Sequence, residues 1–148
     1  MPGLGRPSFE KTFLDMAEVL AKRGTCNRLN TACILVDDEN HYLTSGYNGS
    51  PRGLPHCDDV GHLMIENHCV RTIHAEHNAV LQAARKGVSV HGATAYVLHR
   101  PCLRCTLLLA QVGIQRIVYR YPYEKHEDQD YVREVCEGSG IELRMEHQ

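Results

Sequence analysis

Residues 94–119 read TAYVLHRPCLRCTLLLAQVGIQRIVY and contain the three elements that decide the fold. Thr94 to Leu98 is a short apolar run typical of a buried strand, and Arg116 to Tyr119 predicts another one. Between them, Cys102 to Gln111 has helical spacing. A strand, a helix and a strand in this order predict a helical crossover between two strands of one sheet.

The rest of the chain adds elements on both sides of this unit. Ser8 is a candidate N-cap for an amphipathic helix, which we expect Gly24 to close in the left-handed conformation. Thr31 to Val36 and His41 to Gly46 predict an antiparallel hairpin. The remaining predicted elements are two helices, Glu76 to Lys86 and Asp128 to Glu137, and a strand, Ile141 to Arg144. This order predicts an α/β fold with one five-stranded mixed sheet and helices on both faces, in a single domain spanning residues 1–148.

Composition excludes several classes of protein. The chain has 148 residues, of which 43% are hydrophobic and 23% charged, which suits one compact domain. The net charge of −2 disfavours a polynucleotide partner. The apolar stretches fall short of the roughly 20 residues that span a bilayer, and the N-terminal residues lack the apolar core of a signal peptide. We therefore expect a soluble, intracellular protein without a membrane partner.

Seven cysteines and ten histidines are the unusual part of the composition. In a reducing compartment, such residues point to metal binding or catalysis more than to disulfides. His74-Ala75-Glu76 and Pro101-Cys102-Leu103-Arg104-Cys105 each lie at the start of a predicted helix. A helix N-terminus stabilises thiolate over thiol, and a bound zinc ion would stabilise it further.

His74, Cys102 and Cys105 supply three metal ligands. A structural zinc site uses four, so three ligands leave one tetrahedral position open for water and indicate a catalytic site. Glu76 lies two residues beyond the histidine, where it can reach that water without ligating the metal. It is therefore the candidate proton shuttle.

H-x-E followed by P-C-x-x-C is the signature of zinc nucleobase deaminases. The sequence resembles the cytidine deaminase superfamily, and within it the deoxycytidylate (dCMP) deaminases of bacteria and phages. Besides the metal motifs, the resemblance rests on Gly46-Tyr47-Asn48-Gly49-Ser50-Pro51, His56-Cys57, Asn67-His68-Cys69-Val70-Arg71-Thr72 and His74-Ala75-Glu76-His77-Asn78-Ala79. It covers approximately Ser8 to Leu143. It implies a cytidine-deaminase-like three-layer α/β/α fold and a cytoplasmic enzyme, in the host cytoplasm if the source is a phage.

The reaction implied by this resemblance is hydrolytic removal of the 4-amino group of dCMP. The products are ammonia and dUMP, a thymidylate precursor. Glu76 is then expected to carry a proton first to N3 and afterwards to the departing amine. The resemblance also implies that the Ala75 backbone contacts the pyrimidine edge and that Asn48 binds the sugar hydroxyl. A turn residue is the alternative role for Asn48.

The 5'-phosphate of dCMP requires cationic side chains or backbone N–H groups. Near the motifs, the candidates are Arg28, Arg52 and Arg71. Each of them also suits an ordinary surface position. The first strand begins Asn30-Thr31-Ala32 where many relatives have Val-Gly-Ala, so contacts at the floor of the pocket differ from the family pattern.

A second zinc ion has candidate ligands in and near the irregular segment between Asn48 and Ile73. These candidates are Cys26, Cys57, His62, His68 and Cys69. A closed four-ligand site would explain how a segment rich in glycine and proline becomes ordered. The alternative is that these residues are packed or exposed in a mobile substrate loop.

The resemblance further implies a homohexamer that is activated by dCTP and inhibited by dTTP, each bound with Mg²⁺ between subunits. Asn48, Gly49 and Arg85 are the candidate effector contacts. Such regulation requires two conformations that bind the nucleotides unequally.

Two other classes of function remain open at this point. One is a deaminase of another substrate, such as free cytidine, guanine or tRNA adenosine. The other is a non-catalytic zinc module in which His77 or His99 supplies a fourth ligand to the metal.

Overall fold

The computed structural model describes residues 5–26, 29–123 and 128–147. The elements are, in chain order, α1 (Phe9–Ala21), β1 (Ala32–Val36), β2 (Tyr42–Tyr47), α2 (Cys57–Val60), β3 (Met64–Ile65), β4 (His68–Cys69), α3 (Ala75–Lys86), β5 (Thr94–His99), α4 (Leu103–Gln111), β6 (Arg116–Tyr121), α5 (Gln129–Ser139) and β7 (Glu142–Met145). Among these residues, no helix combines the length and the apolar character needed to cross a bilayer.

The central sheet has five strands in the order β2-β1-β5-β6-β7. Strand β1 pairs antiparallel with both β2 and β5. The pairs β5–β6 and β6–β7 are parallel, and α4 and α5 provide their crossovers. The predicted five-stranded mixed sheet is therefore confirmed.

Helices cover both faces of this sheet, which gives the expected three layers. Helix α1 packs Leu14 against Ile34 and Leu98 on one face. On the other face, the core includes Val97 and Leu109, together with residues of α3 and α5. All five residues of β1 are buried, as a strand covered on both faces requires.

The structure differs from the sequence prediction in two places. The segment predicted as irregular contains the four-residue helix α2 and the β3–β4 hairpin, whose strands have only two residues each. Lys22 ends α1 with right-handed backbone angles, and Gly24 has no positive φ, so Gly24 does not close the helix in the left-handed conformation. A side chain at position 24 would instead be too close to its neighbours, since an added Cβ would lie 2.5 Å from Oδ1 of Asn48.

Helix α3 lies unusually close to β2. Asn78 donates a hydrogen bond from Nδ2 to the carbonyl of Tyr47 at 2.8 Å, and Thr44 donates from Oγ1 to the carbonyl of Ala79 at 3.1 Å. At Gly46, an added Cβ would meet the Ala79 nitrogen at 2.4 Å and the Ala75 carbonyl oxygen at 2.5 Å. The first turn of α3 therefore depends on a glycine in the neighbouring strand.

Gly46→Ala tests this close approach. We expect a loss of about 1–3 kcal/mol in the free energy of unfolding, because the obstructing atoms belong to backbone that cannot rotate away. Gly138→Ala is the matched control, since its added Cβ meets no atom within 4 Å on α5. There, replacing a helical glycine should be neutral or stabilising by up to about 1 kcal/mol. Urea unfolding of both variants makes the measurement, and equal midpoints would contradict the prediction.

Candidate active site and metal centres

Two helix N-termini converge on one point and bring the predicted metal ligands together. His74 is the N-cap of α3 and Cys102 is the N-cap of α4, while Cys105 lies in the first turn of α4. Nδ1 of His74 lies 3.3 Å from Sγ of Cys105 and 3.7 Å from Sγ of Cys102. All three ligand atoms lie within 4.8 Å of one another. We refer to His74, Cys102 and Cys105 as the first cluster.

The protonation of the first cluster fits a divalent cation. Hydrogen bonds from Cys105 and His74 lower the pKa of the Cys102 thiol to about 4. The hydrogen bond with Cys102, together with burial, raises the pKa of Cys105. The two sulfurs thus carry one thiolate between them, and a bound cation is what would stabilise a second. One nitrogen and two sulfurs are the donor set expected for zinc with one open position.

Glu76 lies beside the first cluster in the first turn of α3 and is only 6% exposed. Burial is the main reason why its pKa is raised, and the nearby Cys102 sulfur adds to the effect. A carboxyl group with a raised pKa next to a metal site suits the exchange of protons near neutral pH.

A cavity of about 170 Å³ opens in front of the first cluster and Glu76. We call it the first cavity. Its lining also includes Cys26, Leu29, Thr31, Asn48, Asn67, His68, Cys69, Thr72, His99 and Arg100. The predicted substrate residue Asn48 therefore faces the same space as the candidate metal ligands.

Asn48 is buried and held at both ends of its amide. Its Oδ1 accepts a hydrogen bond from the Thr31 backbone N–H at 2.9 Å, and its Nδ2 donates to the Cys26 carbonyl at 3.2 Å. These bonds leave one lone pair and one N–H of the amide for other partners. The side chain is thus fixed in position by the backbone on two sides.

Sequence reasoning missed several residues of the first cavity. Nδ1 of His99 lies 3.1 Å from Oγ1 of Thr31, which links the end of β5 to the residue that holds Asn48. His68 and Arg100 bring basic groups to the lining, whereas burial lowers the pKa of His99. The available signal was the basic pair directly before Pro101, but only the fold shows that it borders a cavity.

The other predicted substrate residues are placed differently. Ala75 is fully buried, and its carbonyl oxygen lies beside Gly46. Arg52 does not line the first cavity, and Nε of Arg71 donates to the Gly61 carbonyl at 3.0 Å. Arg28 lies outside the described residues. The geometry therefore gives no support to Arg52 or Arg71 as the group that binds a phosphate in this cavity.

Cys26, Cys57, His62 and Cys69 form a second cluster, in which all four ligand atoms lie within 4.8 Å of one another. Sγ of Cys26 is 3.4 Å from Nδ1 of His62, and Sγ of Cys57 is 3.4 Å from Sγ of Cys69. Three sulfurs and one nitrogen make four ligands, which is the donor set of a structural zinc site. His68, the fifth predicted ligand, is not part of this cluster and lines the first cavity instead.

The second cluster also favours a cation. Although burial opposes it, backbone N–H groups of Arg71 and Leu63 and the neighbouring Cys57 lower the pKa of Cys69 to about 6. Burial and the hydrogen bond with Cys69 raise the pKa of Cys57 to about 12. Cys26 follows α1, whereas Cys57 begins α2 and Cys69 ends β4. A metal here would therefore connect the segment predicted to be irregular to the chain that follows α1.

A second cavity, of about 570 Å³, lies between β2, α3 and the loop after β2. Its lining includes Gly49, Arg52 and Arg85, together with Ser45, Tyr47, His56, Asn78, Leu81 and Gln82. Two of the three predicted effector residues, Gly49 and Arg85, therefore lie together. Asn48 lines the first cavity and not this one.

Comparison with known proteins identifies a matching family. Residues 7–121 match the family model described as the cytidine and deoxycytidylate deaminase zinc-binding region. ComE operon protein 2 of Bacillus subtilis is 42% identical over 140 residues, which cover 95% of this chain and 72% of that protein. Deoxycytidylate deaminase of Enterobacteria phage T4 is 30% identical and is covered over 79% of its length, with 78% of this chain aligned.

Solved structures agree with the fold. A dCMP deaminase from the cyanophage S-TIM5, in complex with dCMP and dUMP, matches with a TM-score of 0.79 and 24% sequence identity. The match covers 95% of this chain and 98% of that one.

Among the sequence relatives, deoxycytidylate deaminase of Schizosaccharomyces pombe is 32% identical, but this chain spans only 46% of its length.

Zinc content tests the two clusters. We predict two zinc ions per chain, and His62→Ala should reduce the tightly held content to one because it removes a ligand of the second cluster. His68→Ala is the matched control and should retain two. Atomic absorption after dialysis against a chelator gives the numbers. Loss of zinc from both variants alike, or a content of one in the unaltered protein, would contradict this assignment.

Proposed function

Because the chain belongs to the cytidine and deoxycytidylate deaminase family, we propose that it hydrolyses dCMP to dUMP and ammonia. The observation that carries this proposal is the position of Glu76, buried beside a cluster of three metal ligands that opens into the first cavity. A cluster of three with an adjacent carboxyl group is the arrangement that hydrolytic chemistry requires.

His74, Cys102 and Cys105 are proposed to hold the catalytic zinc ion. When bound, zinc acts as a Lewis acid that makes water reactive toward C4 of the cytosine ring. The α3 and α4 N-termini add their partial positive charge, which would assist the metal in stabilising both sulfurs as thiolates.

Glu76 is proposed to move the protons. Its raised pKa lets it accept a proton from water and donate that proton to N3 of the ring. It then takes the proton of the hydroxyl group added at C4 and passes it to the amine, so that the C4–N bond breaks, ammonia leaves and C4 becomes a carbonyl. Burial helps in each transfer because it raises the affinity of the carboxylate for a proton, so that Glu76 can hold the proton until it is passed on. A solvated carboxyl group would remain ionised at neutral pH.

Substrate recognition is assigned to the residues that surround this centre. The free amide groups of Asn48 are proposed to bind the sugar hydroxyl, and the Ala75 backbone N–H to bind the pyrimidine edge. Thr31 and His99 support Asn48 by the contacts described above. Arg100 in the lining suits a substrate that carries a phosphate.

The choice of dCMP among cytosine compounds rests on relatives of two kinds. Those named deoxycytidylate deaminase include phage proteins that the chain matches over most of their length and yeast proteins of which it spans about half. The cyanophage enzyme was solved with dCMP and dUMP bound. Formation of dUMP would place the protein before thymidylate synthesis, in the cytoplasm.

A non-catalytic zinc module is the alternative that the site argues against. Nδ1 of His77 lies 3.4 Å from Sγ of Cys105, yet His77 is outside the group of ligand atoms that lie within 4.8 Å of one another, as is His99. Within the described residues, the first cluster therefore has three members. Among the residues that the structure describes, the group of four lies at the second cluster, where we propose a structural zinc ion.

Regulation is proposed at the second cavity. Arg52 and Arg85 give it the positive charge that a nucleoside triphosphate with Mg²⁺ requires, and Gly49 connects it to Asn48 of the first cavity through adjacent backbone. We propose that dCTP activates and dTTP inhibits from this position, in a homohexamer.

The decisive experiment measures ammonia release from dCMP, cytidine, dCTP and a tRNA anticodon stem-loop. We expect turnover of dCMP, and we expect Glu76→Gln to lower kcat by roughly 100-fold to 10,000-fold while zinc content stays unchanged. Glu137→Gln, a substitution on the exposed side of α5, is the control and should retain activity. Absence of dCMP turnover by zinc-replete protein would overturn the proposal. If no substrate is turned over and Glu76→Gln keeps both its fold and its zinc, the structural zinc module is the better account.

The second cavity has its own test. Arg85→Ala should raise the concentration of dCTP or dTTP needed for half of the effect at least fivefold, because a charged contact to phosphate is lost. Lys86→Ala is the matched control, as Lys86 is the next residue of α3 and does not line the cavity. Equal shifts in both variants would place effector binding elsewhere.

A further inference from the structure

The N-terminus of α4 is capped from another helix. Asp128 immediately precedes α5, and its Oδ2 accepts a hydrogen bond at 3.0 Å from the backbone N–H of Leu103. Leu103 is the first residue of α4 and lies between the two cysteines of the first cluster. A side chain 25 residues away in sequence therefore holds the turn that carries Cys102 and Cys105.

This outside cap compensates for the N-cap residue of α4. The first N–H groups of a helix have no partner within the helix, and an N-cap side chain normally accepts from one of them. Cys102 occupies the N-cap position of α4 and makes no such hydrogen bond, because its sulfur faces His74. Asp128 supplies the missing acceptor without displacing the sulfur.

Asp128 does not use its carboxylate for its own helix. It is the N-cap residue of α5, but its side chain makes no cap hydrogen bond there, and Val132 is bonded only to its backbone carbonyl. Gln129 donates from Nε2 to Oδ1 of Asp128 at 3.3 Å. The Gln129 carbonyl in turn accepts from Arg100 at 3.3 Å. Both oxygens of the carboxylate are thus committed to orienting it toward α4.

We infer that Asp128 is a positioning residue for the catalytic metal, holding the Cys102–Cys105 turn so that both sulfurs face His74. The inference rests on the proposed metal role of the first cluster. Loss of a partner that orients metal ligands typically weakens metal binding by about 10–100-fold. Removing this carboxylate should therefore affect metal retention at the first cluster and leave the second cluster unchanged.

Zinc release to a chromophoric chelator tests the inference on the full chain. The phase that disappears in His74→Ala identifies the first cluster, and the phase that disappears in His62→Ala identifies the second. We expect Asp128→Ala to accelerate the first phase about 10–100-fold without changing the second. Asp130→Ala is the matched control, since Asp130 is an exposed aspartate in the first turn of the same helix.

A merely structural cap would act differently. General destabilisation would accelerate both phases together, and that result, or equal release rates in Asp128→Ala and Asp130→Ala, would overturn the inference. If His74→Ala removes no phase of zinc release, the proposed metal site itself has failed. That outcome is distinct from equal release rates in Asp128→Ala and Asp130→Ala, which overturn only the inference about Asp128.

Asp128→Asn separates geometry from charge. The asparagine oxygen can still accept from Leu103, and Oε1 of Gln129, a buried atom without a hydrogen-bond partner in the described structure, can accept from the new amide after rotation of the Gln129 side-chain amide. We expect its zinc release to stay within threefold of the unaltered protein. Release as fast as in Asp128→Ala would show that hydrogen-bond geometry is not what Asp128 contributes.

Discussion

The meeting of two helix N-termini at one point constrains the rest of this structure. His74 begins α3 and Cys102 begins α4, and their ligand atoms must come within a few ångströms of each other for one ion to reach all three. Each helix is therefore held at its first turn by groups outside itself. Gly46 lets α3 approach β2, and Asp128 caps α4 from α5.

The need to bring these ligand atoms together also explains why a cysteine sulfur faces the cluster while an aspartate oxygen caps the helix. A cysteine at an N-cap position benefits from the helix dipole, but its sulfur cannot both cap the helix and bind a metal. The protein assigns capping to an aspartate and leaves the sulfur oriented toward His74. The negative charge of that aspartate also suits the positive end of the helix.

Residues of both clusters line the first cavity. Cys26 contributes its thiol to the second cluster and its carbonyl to Asn48, and both Cys26 and Cys69 line the first cavity. Order in the segment around α2 is thus connected to the position of Asn48. A small domain has little apolar surface to bury in such a segment, and metal ligands provide an alternative source of stability.

Local periodicity and motifs with fixed spacing were sufficient to predict the family, the mixed five-stranded sheet and the members of the first cluster. The sequence also supplied four members of the second cluster, but it included His68 with them, since spacing does not reveal the direction of a side chain in a short hairpin. Arg52 and Arg71 are not part of the lining of the first cavity, and Gly24 does not adopt the left-handed conformation predicted for it. The contacts that Thr31, His99 and Asp128 make became visible only in three dimensions. Their partners are distant in sequence, and a hydrogen bond between separate elements leaves no periodic signal in the chain.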